Sequence, residues 1–549
     1  MYIGIDLGTT FSAVAVLGGD GQPDVVPNAE GERTTASALL FEDEEVIVGM
    51  QAKRAAATDP ELVAEDVKRY MGDTSYPRVI RGRQYSPVFL ASLILRKLAD
   101  DAALRLGPID GAVVTVPAYY DEGRRQATAA ACQSAGIRLL DIVNEPTAAA
   151  LAFAFREFIA HGGQAGDLAG AGKAATRARN TVVYDLGGGT FDVTVMRFGP
   201  GSLRVLATAG DTQLGGRDWD QRLFDHFADA FLKAHQLDPR DDPHSRQELM
   251  TLAEQVKKEL SYRPQARYTV AHAGYRLRGA VTREQFEQMT ADLLFRTQSR
   301  LTRVVREAGL RWEQLDELLL VGGSTRMPQV QAMLRQVTGR EPNRTLSPDE
   351  VVAQGAAIHA AMCVAKGELP SIVTSPEHDR PAARPRDAEE PAQRFLTRLG
   401  KRVARGLRSL RTTNVASHSL GVVVRGEQGL TVRRMIERNT ALPVHTSRRF
   451  GIEAAGQRYV NVRVVEGEAA DPDACFPVGT CRIESLPQGL PQGSPVEVTF
   501  RYDRSGRLHV EAVHVPSGAW AKTTIERATG VDAASVAANQ QAMAQLRGA

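Results

Sequence analysis

Asp6 and Asp185 each close an apolar run, and each is followed at once by a turn of small residues. The first turn is Leu7-Gly8-Thr9-Thr10 and the second is Leu186-Gly187-Gly188-Gly189-Thr190. A carboxylate beside a glycine-rich turn suits a metal-bound phosphate. Glycine N–H groups approach phosphate oxygens closely because no Cβ intervenes, and a carboxylate suits a hard cation. The likeness extends further. Tyr2 to Val16 reads YIGIDLGTTFSAVAV, and Thr181 to Val195 reads TVVYDLGGGTFDVTV. Alternating apolar residues predict strands and the Gly/Thr cluster between them predicts a tight hairpin. Two phosphate-gripping hairpins, each with a carboxylate, imply a cleft for a magnesium nucleotide between two related halves. Neither G-x-x-x-x-G-K-[ST] nor G-x-G-x-x-G follows a strand here, so this is a different phosphate site from the P-loop or the dinucleotide fingerprint.

Other residues with chemical potential surround these turns. Lys53 lies in VGMQAKRAA, Pro117 ends the strand-like VVTVPAYY, and Glu145 opens the helix-like EPTAAALAF. Glu254, Lys257 and Ser261 stand at i, i+3 and i+7, so one helix face carries all three. The same spacing suits an exposed ion pair on a helix surface. In LLLVGGSTRMPQV a buried strand runs into Gly322-Gly323, where a ring could approach the backbone, with Ser324 and Arg326 beside it.

The elements that must position these groups form an α/β pattern over 1–369, where strand and helix signals alternate. Residues 161–180 are Gly/Ala-rich and read as a flexible surface loop. Residues 370–413 form a linker region, Pro-rich and charged at first. Within it Phe395, Leu399, Val403, Leu407 and Leu410 recur at helical spacing among Arg394, Arg398, Lys401, Arg402, Arg405 and Arg408, which predicts a basic amphipathic helix. No acidic residue occurs between Pro391 and Gly426. Residues 414–530 change to short alternating strands separated by turns, an all-β domain. Residues 531–549 form a short Ala/Gln-rich tail.

With 549 residues, 67 Lys+Arg and 65 Asp+Glu, the chain holds several domains and is not a polyanion binder, so nucleic acid is not an expected partner. Its four cysteines have no metal-site spacing. Cys475 and Cys481 are close enough in sequence to pair, but free buried thiols are expected. A strand beginning at Tyr2 leaves no room for a signal peptide, and no apolar run is long enough to span a membrane, so the expected location is cytoplasmic.

The motifs IDLGTT, TVPAYY, NEPTAAALAF, DLGGGTFDV, DTQLGG, VGGSTRMP and SPDEVVAQGAA, in this order, resemble the DnaK-type heat-shock protein 70 family. The resemblance is strong from Met1 to about Val364 and weaker from Asn414 to Gly530. It implies an actin-like two-lobed ATPase domain followed by an all-β sandwich that grips extended, apolar segments of unfolded proteins, with ATP/ADP and Mg2+ as cofactors. By position, Asp6 and Asp185 correspond to the carboxylates that hold Mg2+ through water. Gly8, Thr9, Thr10, Gly187, Gly188 and Thr190 correspond to the phosphate turns. Lys53 and Glu145 match the pair that places the γ-phosphate and the attacking water, with Asp192 a further carboxylate facing that water. Glu254, Lys257, Ser261, Gly322, Gly323, Ser324, Arg326 and Asp349 match the nucleoside clamp, and Val422, Phe450, Val460 and Val462 the peptide pocket. The four β-domain residues suit an ordinary core equally well.

Several positions depart from the family's pattern. Arg425 and Glu453 stand at the two halves of the arch that covers the peptide, where Glu453 replaces a small residue. The apolar linker is replaced by Ser409 to Ser417, and a basic helix is inserted ahead of it. Asp141 stands in place of an arginine used in linker and J-domain docking, and Ala129 in place of a lysine that joins a relay between Pro117 and Arg125. The helical lid is missing from the expected domain list. The resemblance implies a J-domain co-chaperone and a nucleotide exchange factor as partners, and Asp141 with the altered linker puts the first in doubt. The basic segment 394–411 suits either packing on its own ATPase domain or docking to an anionic surface. An ATP-binding holdase or adaptor without a productive cycle, a sugar kinase of the actin-like superfamily and a filament-forming actin relative are the competing readings.

Overall fold

The computed structural model describes residues 1–43, 45–160, 178–199, 201–343, 345–368, 386–426, 429–484, 486–503, 508–524 and 533–546. The surface loop expected at 161–180 and the Pro-rich start of the linker fall largely outside these residues.

Each repeated motif forms a hairpin at the heart of its own sheet. In the first lobe, strand Tyr2–Asp6 pairs antiparallel with Phe11–Leu17, so that Asp6 faces Ala13. Strands Gly111–Val116 and Leu139–Asn144 continue the sheet in parallel on one side, and Pro23–Val26 continues it on the other. In the second lobe, Arg179–Leu186 pairs antiparallel with Phe191–Gly199, setting Asp185 opposite Asp192. Strands Glu317–Val321 and Ser202–Asp211 flank that hairpin. The sequence repeat is therefore a structural repeat, and both carboxylates end their strands at the same place.

Helices Glu145–Ala160 and Val351–Lys366 cross between the lobes. A Cβ on Gly355 would lie 1.8 Å from the Ala148 carbonyl oxygen, so only glycine allows this approach. The Ala-rich sequences of both helices serve the same closeness, and their residues join one core with Val183, Val321 and Tyr2.

Arg386–Ser409 is the expected basic helix, broken at Gly400, whose φ of 79° is outside helical space. Phe395, Leu399 and Leu407 are buried in the core shared by the two lobes, with Phe395 edge-on to Tyr2 at 5.2 Å. Of the two placements open to this segment, the structure shows the intramolecular one. The apolar stripe that a membrane-docking helix would insert is already covered, so docking of 394–411 by that stripe is set aside. Arg394, Arg398, Lys401, Arg402, Arg405 and Arg408 form its exposed rim.

The altered linker becomes a short strand, Arg411–Thr413, parallel to Ser202–Arg204 at the edge of the second-lobe sheet. Beyond it come two antiparallel four-stranded sheets. One contains Leu420–Gly426, Gly429–Ile436, Val460–Glu466 and Phe476–Ile483. The other contains Val444–Gly451, Pro495–Tyr502, Leu508–His514 and Trp520–Thr524. Their inward residues, among them Val422, Val464, Phe500 and Val510, share one core, which makes a sandwich. The four cysteines are buried and form no disulfide with one another. The tail forms helix Ala533–Gln545, which returns to the first lobe, where Met543 is buried and Gln540 donates to the Gln133 carbonyl at 2.9 Å. Among the described residues, no helix is long and apolar enough to cross a membrane.

Candidate active site

A cleft of about 440 Å3 runs between the lobes where the two hairpin turns meet. The turns are shaped by local chemistry. Ser37 donates to the Gly8 carbonyl at 2.8 Å, and the Gly8 N–H donates to Ser12 Oγ at 3.1 Å. A Cβ on Gly188 would lie 2.1 Å from Thr10 Oγ1, so the two turns approach each other because one is glycine. Gly322 has φ of 80°, and a Cβ there would meet the Leu186 carbonyl oxygen at 2.4 Å.

Asp6, Glu145 and Asp185 line the floor of the cleft. Asp6 accepts a hydrogen bond from Thr115 at 2.9 Å. Burial, then the neighbouring Glu145, push its carboxyl up to about 6. Burial and the nearby carboxylates of Glu145, Asp192 and Asp6 likewise hold Asp185 well above the ordinary range. Asp192 is pushed up to about 8, first by burial and then by Glu145. It accepts from the Tyr119 N–H at 3.1 Å. An all-oxygen donor set whose members repel one another is what a hard divalent cation relieves, so these residues fit Mg2+.

The lysine beside Glu145 is Lys68. The two side chains form a buried ion pair that Lys53 does not reach. Burial would lower the Lys68 ammonium, but Glu145, Tyr120 and Asp6 outweigh it and raise it. Lys53 lines the same cleft but bridges to Glu254 of the opposite lobe at 3.1 Å. Lys53 and Glu145, expected to act together on the γ-phosphate and the attacking water, both line the cleft but do not touch, and Lys68 is the lysine in contact with Glu145. Lys53 extends from helix Met50–Ala55, while Lys68 sits on a one-turn helix directly over the floor, with its carbonyl held by the Tyr120 hydroxyl at 2.9 Å. Although burial opposes it, Lys53 and Lys258 hold Glu254 down to about 2.

The residues expected to form a nucleoside clamp line one side of the cleft. Lys257 binds Asp220 at 2.8 Å and donates to the Gly216 carbonyl at 3.0 Å. Ser324 donates to the Gly187 carbonyl at 3.0 Å, and Arg326 pairs with Asp349 at 2.5 Å. Thr9, Thr190, Ser261 and Gly323 also line the cleft. Of the expected catalytic and nucleotide-binding residues, Asp192 alone stands behind the wall. The exposed-pair alternative for Glu254 and Lys257 is superseded, since each bonds a group in or across the cleft. Arg217, which bonds Asp66 across the lobes at 2.7 Å, was not anticipated.

Comparison with known proteins agrees with this architecture. The family model described as Hsp70 protein matches residues 2–81, 74–373 and 402–547. The chain belongs to the Hsp70 family. Its relatives include a Chaperone protein DnaK from Halobacterium salinarum, 36% identical over 537 residues, covering 96% of this chain and 75% of the relative. The Thermotoga maritima protein of the same name is 38% identical over 526 residues, 94% of this chain and 78% of the relative. That of Deinococcus proteolyticus is 34% identical over 567 residues, 97% of this chain and 80% of the relative.

In this Hsp70 chain the β sandwich rests on both lobes. Ser417 donates to the Ala118 carbonyl at 2.6 Å, and the His418 ring lies 4.1 Å from that of Tyr119, whose N–H meets Asp192. Arg438 pairs with Glu307, and Asn439 accepts from the Thr208 N–H at 3.1 Å. Of the expected pocket residues, Val422 and Val462 belong to the buried sandwich core, whereas Phe450 and Val460 are half-buried at its rim. Arg425 and Glu453 form an exposed ion pair with each other.

Proposed function

We propose that this Hsp70 chain is an ATP-dependent molecular chaperone that hydrolyses Mg-ATP and couples the cleft to peptide grip in its β sandwich. The single observation that carries the reading is the floor of the cleft, where the buried pair Lys68–Glu145 stands beside Asp6 and Asp185 under two glycine turns. The backbone of the two turns, with Thr9, Thr10 and Thr190, grips the phosphates. Lys257, Ser324 and Arg326 position the nucleoside. Asp6 and Asp185 would hold Mg2+, which when bound would supply positive charge against the phosphates. Lys68 places fixed positive charge where negative charge grows during in-line attack. Glu145 orients the attacking water, and its ion pair with Lys68 fixes both groups in advance. Phe450 and Val460 offer an apolar rim to an extended segment, whose main chain would pair with the sandwich edge. The docked strand Arg411–Thr413 and the Ser417–Ala118 contact supply a physical route between the two sites, so coupling survives the altered linker.

ATP turnover measured with and without a panel of unfolded peptides tests this. Wild type is expected to turn over ATP slowly and to respond to peptide. Lys68→Ala is expected to bind ATP and lose about 10²–10³-fold in turnover, the scale of one preorganised charge. Wild-type turnover no higher than that of Lys68→Ala would leave an ATP-binding holdase instead.

A further inference from the structure

Asp141, His359 and Cys363 have no part in the nucleotide cleft, yet they converge. His359 and Cys363 stand one turn apart on helix Val351–Lys366, so both project from one face. Asp141 comes from Leu139–Asn144, the edge strand of the first-lobe sheet, against which that helix packs. One donor atom from each residue, a carboxylate oxygen, an imidazole nitrogen and a thiol sulfur, lies within 4.8 Å of the other two. His359 Nε2 and Asp141 Oδ2 are 2.8 Å apart. The other ring nitrogen, Nδ1, is buried, and Cys363 is a neighbour that acts on this imidazole through charge and a hydrogen bond. Nε2, the nitrogen that faces Asp141, is the one placed to share an ion with that carboxylate. Cys363 is buried, while Asp141 keeps about a quarter of its side chain (27%) open to solvent. The cluster therefore has an entrance.

We propose that Asp141, His359 and Cys363 form a zinc site at this corner of the first lobe, with a fourth position open to water. The donor set decides the metal class. One thiolate and one imidazole exclude Mg2+ and Ca2+ as preferred guests, and an N/S/O set with three protein ligands suits Zn2+. Tetrahedral Zn2+ needs its donors about 3.3–3.6 Å apart, a spacing that follows from metal–ligand distances of ~2.0–2.3 Å. The His359–Asp141 contact must open slightly, by a small turn of the part-exposed Asp141 carboxylate, whose Oδ1 accepts from the Ile142 N–H at 2.9 Å. On binding, the S–H bond of Cys363 breaks, the sulfur's electron pair goes to the ion, and the proton leaves to solvent through the Asp141 corner. The ion would then pin the strand that ends one residue before Glu145 to the helix whose first turn lines the nucleotide cleft at Val352. This inference does not depend on ATP hydrolysis.

Full-length protein purified without chelator, then dialysed against micromolar Zn2+, should retain one equivalent per chain by elemental analysis. Co2+ substituted for Zn2+ should give d–d bands of tetrahedral intensity and a thiolate-to-cobalt charge-transfer band. Cys363→Ser should abolish the charge-transfer band, and His359→Gln and Asp141→Asn should each weaken Zn2+ binding at least tenfold. Circular dichroism of each variant shows whether it is folded. Should a helix variant fail to fold, Asp141→Asn at the exposed corner carries the test alone. A wild-type protein that retains no Zn2+, or binds it with the same affinity in folded Asp141→Asn and Cys363→Ser, would overturn the site.

Discussion

Lys53 and Lys68 look alike in the sequence, each followed by arginine, and the cleft gives them different work. Lys68 meets Glu145, its partner 77 residues away, on the floor. Lys53 reaches across to Glu254 and helps hold the lobes together, as Arg217 and Asp66 do. Lys53→Ala should therefore leave turnover of bound ATP near wild type and speed ADP release about tenfold, the factor that ~1.4 kcal/mol of lost cross-lobe contact carries. Stopped-flow release of a fluorescent ADP measures this, and an unchanged rate would remove the latch. The glycine turns and their carboxylates were legible because their chemistry is local, confined to a dozen residues each. Lys68 was not, since nothing in Val67-Lys68-Arg69-Tyr70 marks it until the chain has folded. In the sandwich, Val460→Phe should fill the rim and weaken binding of a labelled apolar peptide about tenfold in anisotropy while leaving the melting transition in place. Equal binding by the variant would relocate the pocket.

Helix Arg386–Ser409 shows how much an element's periodicity tells and where it stops. The stripe Phe395, Leu399, Val403, Leu407 and Leu410 was legible, and its residues meet one core from the two segments on either side of Gly400, but period alone does not say which surface covers it. The break at Gly400 was not legible either, because a glycine within a helical pattern is usually tolerated. Here its positive φ redirects the second half along Val351–Lys366, where Arg408 donates to the Ala365 carbonyl at 2.7 Å. Leu407 is fully buried, so Leu407→Ala should cost about 2–5 kcal/mol and lower the melting temperature of the ATPase domain. Lys401→Glu and Arg405→Glu, on the exposed rim, should change stability by no more than about 0.5 kcal/mol. Calorimetry of the three variants separates a core helix from a surface one.

At the scale of the molecule, the sandwich meets the first lobe over a buried carboxyl. Burial pushes Glu122 up to about 8, Arg125 and Gln126 partly offset this, and Glu466 and Asp503 of the sandwich raise it further. Its ordinary value is 4.5, so the docked arrangement binds this proton more tightly than the undocked one. Docking is therefore favoured at low pH and loses that contribution as pH rises toward and through 8. Small-angle scattering should show the chain expanding as pH rises from about 5 to 8, and Glu122→Gln should flatten the change. An expansion identical in both proteins would assign it to another group. The two-domain division was legible from the change of period near residue 414. The seating of one domain on the other was not, since it rests on pairs such as Ser417 with Ala118, 299 residues apart.

Helix Ala533–Gln545 gives this assembly a second attachment. The chain leaves the second lobe through Arg411–Thr413 and comes back to the first lobe, where Met543 is buried against Ser92. The sandwich is thus tethered at both ends rather than hung from one. If either attachment lets go, the other keeps the freed surface at an effective concentration on the millimolar scale, as short tethers do. Opening becomes a swing about a retained anchor, and re-closure is unimolecular: diluting the protein should leave its rate unchanged.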